Sequence, residues 1–374
     1  MKDPAPFVQP LSDPKGFAFK LKGTGPMGFH LGCDFFREED GTLAMSPKKY
    51  IERMTDGYIR MFGSKPNVHV YSPLEKGDHP ELDATPLLDP EGIQQYQSLV
   101  GSMQWAISLG RLDICTAITT LSSFNAVPRV GHLERANRVV GYLNRFKDAA
   151  IRFRTGLPDV TDLPSHVNDW TYSVYGNVWE IIPQDIPQPL GKQIQLIHYV
   201  DANLYNDWTT GRSVTGILHF INQTPIAWFS KKQSTVETAT YGSEFVAART
   251  AVEQIIDIRT TLRYLGVPVS TSSMIFGDNE AVVNSSIDPN AKQHKRHTAL
   301  SFHRVREAIA LGMVKFCHVP GNINPADVLS KHWGHSDVWR QLQALLFWKG
   351  NTDGIPDDGD TNVTADVDDT PVAR

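Results

Sequence analysis

The sequence predicts a mixed α/β fold, in which a largely helical first half precedes a sheet flanked by helices. In the first half, apolar residues recur at helical spacing over most of residues 46–146. After residue 191, short apolar runs separated by polar turns lead into a long helical pattern and then alternating strands and helices. A proline-rich connector with few charges, residues 155–190, separates the two patterns.

The elements of the first half follow from local signals. Residues 29–36 predict a strand. Ser46-Pro47 predicts the start of a helix, because Ser caps helices and Pro is tolerated in the first turn. Three further helical segments are predicted between residues 93 and 146, with breaks at Pro128 and Gly131.

The second half begins with three short strands and then a long helix that ends at Gly266. The remaining elements are predicted as a strand at 274–276, a helix at 299–311, a strand at 313–319 and a helix after Pro325. The acidic tail after Trp348 has almost no large apolar residue, so it is predicted to be disordered.

Composition excludes some classes of protein and leaves the partner open. The 374 residues include three scattered cysteines, which argues against a disulfide framework and favours a reducing compartment. Neither a secretory signal nor a membrane-spanning apolar run is recognisable. The net charge is -5, but residues 351–374 carry -6 of it, and residues 191–335 are +3. The body of the chain is therefore compatible with a nucleic-acid partner, although charge does not decide it.

Four acidic residues stand at positions where a ligand could reach them. Asp201 follows the apolar run 196–200, and Asp278 follows the strand 274–276, so both are expected at the ends of strands. Glu244 is expected in the first turn of the long helix, and Asp327 follows the helix start Asn324-Pro325. Each acid alone is explained better as a turn or cap residue. Together they would repel one another unless divalent cations neutralised them.

Sequence motifs indicate that these four acids belong to one domain. The segments LIHYVDAN, WFSKKQSTVETATYGSEF, IFGDNEAVV, KRHTALSFHRVREAI and HVPGNINPADVLSK occur in this order. They resemble the ribonuclease H domain of copia-type retrotransposon polyproteins over residues 191–335. The resemblance implies a ribonuclease H-like mixed sheet with Asp201, Glu244, Asp278 and Asp327 as catalytic, metal-binding acids.

The upstream region resembles another part of the same polyproteins. The segments GFHLGCDFFREEDGTLAMSPKKYIERM and QYQSLVGSMQWAISLGRLDICTAITTLSSF are similar to the end of the reverse-transcriptase palm and its thumb, except that Leu112 replaces a proline. The Tyr-x-Asp-Asp hairpin of the polymerase site does not occur in the sequence. We therefore expect no polymerase activity from this chain alone.

The domain organisation that the resemblance implies is a palm remnant, a thumb-like helical region, a connector, a ribonuclease H-like domain, and an extension with the acidic tail. The corresponding residues are 1–30, 31–154, 155–190, 191–335 and 336–374. A location in cytoplasmic virus-like particles or in the nucleus is expected.

The implied activity is hydrolysis of the RNA strand of an RNA–DNA hybrid, with two Mg²⁺ ions that Mn²⁺ could replace. By resemblance, Asp201 would bridge both ions, Glu244 and Asp278 would serve the leaving-group side, and Asp327 would serve the nucleophile side. Contacts to RNA 2′-hydroxyls would select the hybrid.

Other functional interpretations of the same residues fit the sequence less well or stay open. An integrase-like transferase would require the acids in the order Asp, Asp, Glu, whereas Glu244 lies between aspartates. The histidines near residues 294–303 and Cys317-His318 lack the spacing of a zinc site. The basic stretch with Lys295, Arg296, Arg304 and Arg306 would suit phosphates or a solvated helix face. An inactive retrotransposon remnant that at most binds nucleic acid remains open.

Overall fold

The computed structural model describes residues 27–160, 168–176, 178–293 and 296–346. Most of the predicted palm remnant, residues 1–26, and the predicted acidic tail lie outside these ranges. No helix within the described ranges combines the length and the apolar character that crossing a membrane requires.

The first half combines a small antiparallel sheet with four helices. The predicted strand at 29–36 is instead a hairpin, because Leu31 and Gly32 both have positive φ and turn the chain. The helix after Ser46-Pro47 and the three later helical segments are confirmed, although the N-cap residue is Pro47 and not Ser46. The sheet order is β1-β2-β3-β4, and the elements are β1 (Phe29–His30), β2 (Cys33–Arg37), β3 (Leu43–Ser46), α1 (Lys48–Phe62), α2 (Pro90–Ser108), α3 (Cys115–Ser122), α4 (Val130–Arg145) and β4 (Ile151–Arg152).

Gly131 was expected to break a helix, and this prediction is wrong. The residue lies in the first turn of α4, where a Cβ atom would stand 2.0 Å from Asp83 Oδ2. Glycine is therefore used for a close approach rather than for its backbone freedom. The approach brings the Asp83 carboxylate within 2.6 Å of Arg135 Nη1, further along the same helix.

The second half is a five-stranded mixed sheet flanked by helices, so the predicted ribonuclease H-like fold class is confirmed. The strand order is β7-β6-β5-β8-β9; β5 is antiparallel to β6 and parallel to β8. The elements are β5 (Leu196–Asp207), β6 (Arg212–Ile221), β7 (Thr224–Lys232), α5 (Thr240–Tyr264), β8 (Ser273–Gly277), α6 (Glu280–Ile287), α7 (Ala299–Ala310), β9 (Val314–His318) and α8 (His335–Leu345). Helix α6 was not predicted, because a helix of eight residues leaves too short an apolar pattern.

The two faces of the large sheet pack against different parts of the chain. Alternate residues of a strand face opposite sides, so neighbouring Ile217 and Leu218 belong to separate cores. The Ile217 side packs against α5 and α7. The Leu218 side joins one continuous core with the helices of the first half and with α8. The helical half thus covers a face of the sheet that would otherwise be exposed to water.

The connector is attached to the second half through the half-buried carboxylate of Glu180. Glu180 forms ion pairs with Arg259 and Arg263 of α5, both at 2.6 Å. Burial alone would raise the pKa of Glu180, but the two guanidinium groups hold it at about 2. These pairs fix the connector against α5 on the side of the sheet away from the first half.

Candidate active site

Strands β5 and β8 position the first two acids. Strand β5 is longer than predicted, so Asp201 lies within it and not at its end. The reason is its pairing with β6, which continues as far as Asp207. The parallel pairing with β8 stops at Val200 and Gly277, and Asp278 follows directly, as predicted. Both carboxylates therefore lie at the end of β8, where its parallel pairing with β5 stops.

Glu244 comes from α5, but not from its first turn. The helix begins at Thr240, so Glu244 occupies the second turn, and the predicted first-turn position is wrong. Its side chain does not cap the helix. It is 5% exposed and accepts a hydrogen bond from the backbone N–H of Ala202 on β5. The helix thus carries this carboxylate onto the strand that bears Asp201.

The structure brings three of the four predicted acids into one cluster. Asp201, Glu244 and Asp278 each offer a carboxylate oxygen, and these oxygens all lie within 4.8 Å of one another. Burial, followed by repulsion from Asp201 and Asp278, raises the pKa of Glu244 well above its usual range. Burial and repulsion from Asp201 also raise the pKa of Asp278. The cluster therefore holds protons or attracts a cation.

Asp327 lies beside this cluster but outside the group of three. It belongs to a short 3-10 helix, Pro325–Leu329, whose start is capped by the Asn324 side chain as the sequence predicts. The Asn324 amide also donates to the carbonyl of Val200 at 3.0 Å, which ties this helix to β5 next to Asp201. Burial, then the charge of Asp201, raises the pKa of Asp327 to about 7.

A glycine makes this approach possible. Gly216 of β6 pairs with Asp201 in the sheet. A Cβ atom on Gly216 would lie 2.6 Å from the carbonyl oxygen of Ala326 and 2.9 Å from the backbone nitrogen of Ser330. The absence of a side chain at this position lets the 3-10 helix lie against the sheet and places Asp327 near Asp201.

The helical half also supports the segment that carries Asp327. The Thr116 hydroxyl of α3 donates to the carbonyl of Val328 at 3.0 Å. Thr119, one turn further along, donates to the carbonyl of Ser230 on β7 at 3.3 Å. Helix α3 is therefore bonded both to the 3-10 helix and to the sheet.

Two side chains that the sequence reasoning did not single out complete the site. The buried Ser330 hydroxyl donates to Asp201 Oδ2. Lys331 Nζ lies 2.7 Å from Asp327 Oδ1 and 3.5 Å from Asp201 Oδ2. Burial would lower the pKa of Lys331, but Asp201 and Asp327 raise it. The spacing of Asp327 and Lys331, four residues apart, was the signal for this contact.

The basic stretch contributes less to the site than its charges suggest. Arg306 is buried, donates to the carbonyls of Ser285, Asp288 and Pro289, and lies over the ring of Trp170. It is not available to a phosphate, and the solvated-face interpretation also fails for it. Arg304 pairs with Glu307, whereas Arg296 is exposed; Lys295 lies outside the described residues.

The residues present fit a divalent cation. Hard cations such as Mg²⁺ prefer oxygen ligands, and every charged donor of the cluster is a carboxylate. Burial, and then repulsion from the neighbouring acids, raises the pKa of both Glu244 and Asp278, and a bound cation would relieve the repulsion. Asp201, Glu244 and Asp278 would hold one ion, and Asp201 with Asp327 could contribute to a second.

Comparison with known proteins agrees with the motifs. No protein-family model matches the chain. The chain is 24% identical over 314 residues to the retrovirus-related Pol polyprotein from transposon RE1 of Arabidopsis thaliana. It is 24% identical over 323 residues to the corresponding polyprotein from transposon TNT 1-94 of Nicotiana tabacum. Each match covers 84% of this chain, but the chain spans only 18% and 21% of these relatives.

Solved structures align with part of this chain at low identity. An N-terminal ribonuclease H domain from Mycobacterium tuberculosis aligns with 37% of this chain and 91% of its own, at 12% identity and a TM-score of 0.29. A foamy viral protease-reverse transcriptase in complex with an RNA/DNA hybrid aligns with 65% of this chain and 50% of its own, at 12% identity and a TM-score of 0.29.

The strand order agrees with the predicted ribonuclease H-like fold class. The chain is similar to retrovirus-related Pol polyproteins of transposons over most of its length, and the resemblance predicted from the motifs is confirmed. The boundaries of its domains stay a prediction.

Proposed function

We propose that this chain is a metal-dependent endonuclease that hydrolyses the RNA strand of RNA–DNA hybrids, as part of a copia-type retrotransposon polyprotein. One observation carries the proposal: two buried carboxylates and one half-buried carboxylate, from three separate elements, converge within 4.8 Å beside a fourth acid. Burying like charges together is unfavourable for folding alone. Such an arrangement is therefore expected where the acids serve a bound cation.

The position of each acid supports a division of roles. Asp201 is the member shared by both sides of the site, because it lies in the cluster with Glu244 and Asp278 and also contacts Lys331, the partner of Asp327. It is suited to bridge two ions. Glu244 and Asp278 would bind on the leaving-group side, and Asp327 on the side of the attacking water.

Two divalent cations, when bound, would lower the pKa of the attacking water and neutralise charge on the phosphate and leaving oxygen. The protein's contribution is to hold the acids in place. Glu244 is fixed by the backbone of Ala202, and Asp201 by the Ser330 hydroxyl. Asp327 is fixed through the Asn324 bond to Val200.

The proposed substrate is an RNA–DNA hybrid rather than double-stranded DNA or double-stranded RNA. One solved structure with which the chain overlaps is described in complex with an RNA/DNA hybrid. For this chain we infer the same substrate from the ribonuclease H-like fold and from the polyprotein relatives. Contacts to 2′-hydroxyls in the minor groove would distinguish RNA from DNA. Polymerase activity is not expected, because the Tyr-x-Asp-Asp tetrapeptide of the polymerase site does not occur in the sequence.

A gel assay of the purified chain on an end-labelled RNA–DNA hybrid tests this proposal. We expect cleavage of the RNA strand with Mg²⁺ or Mn²⁺ and none in excess chelator. Asp278→Asn should remove nearly all cleavage, whereas Asp288→Asn changes an exposed acid outside the cluster and should leave the rate unchanged.

Cleavage that persists in chelator would contradict the metal-dependent mechanism. Binding of the hybrid without any cleavage, in either metal, would favour the inactive remnant instead. Cleavage of the DNA strand, or of double-stranded RNA at the same rate, would contradict the proposed substrate.

A further inference from the structure

The two sides of the acidic site differ in how their charge is compensated. On one side, Lys331 Nζ lies between Asp327 Oδ1 at 2.7 Å and Asp201 Oδ2 at 3.5 Å. On the other side, no Lys or Arg nitrogen within the described part of the chain lies within 4.0 Å of the Glu244 or Asp278 carboxylates. The Lys331 ammonium thus pairs with both acids of the Asp201–Asp327 side, whereas among the three clustered acids it pairs with Asp201 alone.

We propose that Lys331 is an intrinsic counter-cation that makes metal binding ordered. The first divalent ion enters the side formed by Asp201, Glu244 and Asp278. An ion on the Asp201–Asp327 side must displace the Lys331 ammonium, so it binds later and more weakly. This inference rests on the proposed metal centre and assigns a role within it to a residue outside the four acids.

The side chain of Lys331 is suited to such a displacement. It is 38% exposed, so the ammonium has a path to solvent without unfolding the segment. It forms ion pairs with the two acids that would take the ion, and a lysine stem is flexible. The adjacent Ser330 is buried and bonded to Asp201, so it would stay in place while Lys331 moves.

A titration of the full chain with Mn²⁺, without nucleic acid, measures the order directly. Free Mn²⁺ is followed by electron paramagnetic resonance, and the heat of binding by calorimetry. We expect two classes of site in the wild type. In Lys331→Met the second class should bind at least about tenfold more tightly, because the competing charge is removed. The first class should tighten by a smaller factor, because Lys331 pairs with only one of its three acids, Asp201.

Lys232→Met is the matched control. Lys232 forms an ammonium–carboxylate pair with buried Asp207, on the same sheet but outside the acidic cluster. Both of its Mn²⁺ dissociation constants should equal those of the wild type. Equal second-site affinities in Lys331→Met and the wild type would overturn the inference, as would weaker binding in Lys331→Met.

A second measurement avoids any dependence on how the variant folds. The lysine side-chain NMR signals of the wild type are followed during a Mg²⁺ titration, with Lys331→Arg used only to assign the Lys331 signal. That signal should shift mainly during the second binding phase, when the ammonium leaves Asp327. A shift that is complete at the end of the first phase would overturn ordered displacement.

Failure of this inference is distinguishable from failure of the proposed function. If the wild type binds no Mn²⁺, or if Asp278→Asn binds it as the wild type does, the metal centre itself is wrong and the inference falls with it. If the wild type binds two ions and Lys331→Met binds them with the same constants, the metal centre stands and only the role of Lys331 is wrong.

Discussion

Replacing Asp278 by Asn should abolish cleavage and yet stabilise the metal-free protein. Oxygens of Asp201 and Asp278 lie within 4.8 Å, where two unit charges repel by about 3.5 kcal/mol at an effective dielectric constant of about 20. Burial and the neighbouring acids raise the pKa of Glu244, so its own charge adds less to this repulsion. Loss of attraction to Lys331 offsets part of the gain. We therefore expect the free energy of unfolding to rise by about 1–3 kcal/mol.

Denaturant unfolding, followed by circular dichroism in chelator and again in excess Mg²⁺, measures this effect. The amide that Asp278→Asn introduces keeps the shape of the carboxylate but binds metal less well, so stabilisation by Mg²⁺ should shrink. Asp288→Asn should keep both the wild-type cleavage rate and the wild-type gain from Mg²⁺. An Asp278→Asn protein that cleaves hybrid normally and loses stability in chelator would refute the reasoning, because a turn or cap residue behaves in that way.

Four other perturbations test separate parts of the structure. Because the pKa of Asp327 is raised to about 7 in the folded state, the folded protein holds more protons than the unfolded one between about pH 4 and 7. Metal-free stability should therefore fall as the pH rises through this window, and Asp327→Asn should flatten the trend measured by denaturant midpoints. Thr116→Val should lower the free energy of unfolding by about 1 kcal/mol and slow cleavage, because it removes the hydrogen bond to the Val328 carbonyl. Thr55→Val removes a buried hydroxyl without a partner and should leave the free energy of unfolding unchanged. Equal effects of the two substitutions would argue against a specific role for the Thr116 bond. Gly216→Ala should lower the free energy of unfolding by about 1–3 kcal/mol and reduce Mg²⁺ affinity, because the added Cβ would overlap backbone atoms of the 3-10 helix. Unchanged Mg²⁺ affinity in calorimetry would contradict this. Deleting residues 27–154 should prevent cooperative unfolding of the remainder, because one face of the sheet loses its cover; a sharp thermal transition in that fragment would show that the sheet folds alone.

The helical half and the sheet half of the chain pack against each other and are not independent units. The sequence suggests a helical region and a nuclease-like domain joined by a connector. In the structure, Leu218 on the sheet and Ile118 on α3 belong to the same buried core, and Thr116 bonds the segment that carries Asp327. We infer that the helical half contributes to the geometry of the acidic site, which the deletion and the Thr116→Val variant test independently.

Much of the fold and the identity of the acids were accessible from the sequence. Periodicity of apolar residues predicted the main helices and the strands of the large sheet, because a 3.6-residue or two-residue repeat reflects which side chains are buried. Asp278 was placed correctly at the end of β8 for the same reason. Motif resemblance identified all four acids, and three of them, Asp201, Glu244 and Asp278, do converge.

Only the tertiary structure decided how these acids meet. Asp201 lies within its strand because β6 extends the pairing, and Glu244 lies one turn deeper because α5 begins at Thr240. The approach of Asp327 depends on Gly216, a residue far away in the chain whose missing side chain leaves room for a helix. The placement of Lys331 between two acids depends on the same packing. Local patterns report which face of an element is buried, whereas distances between side chains are set by contacts between elements remote in the chain.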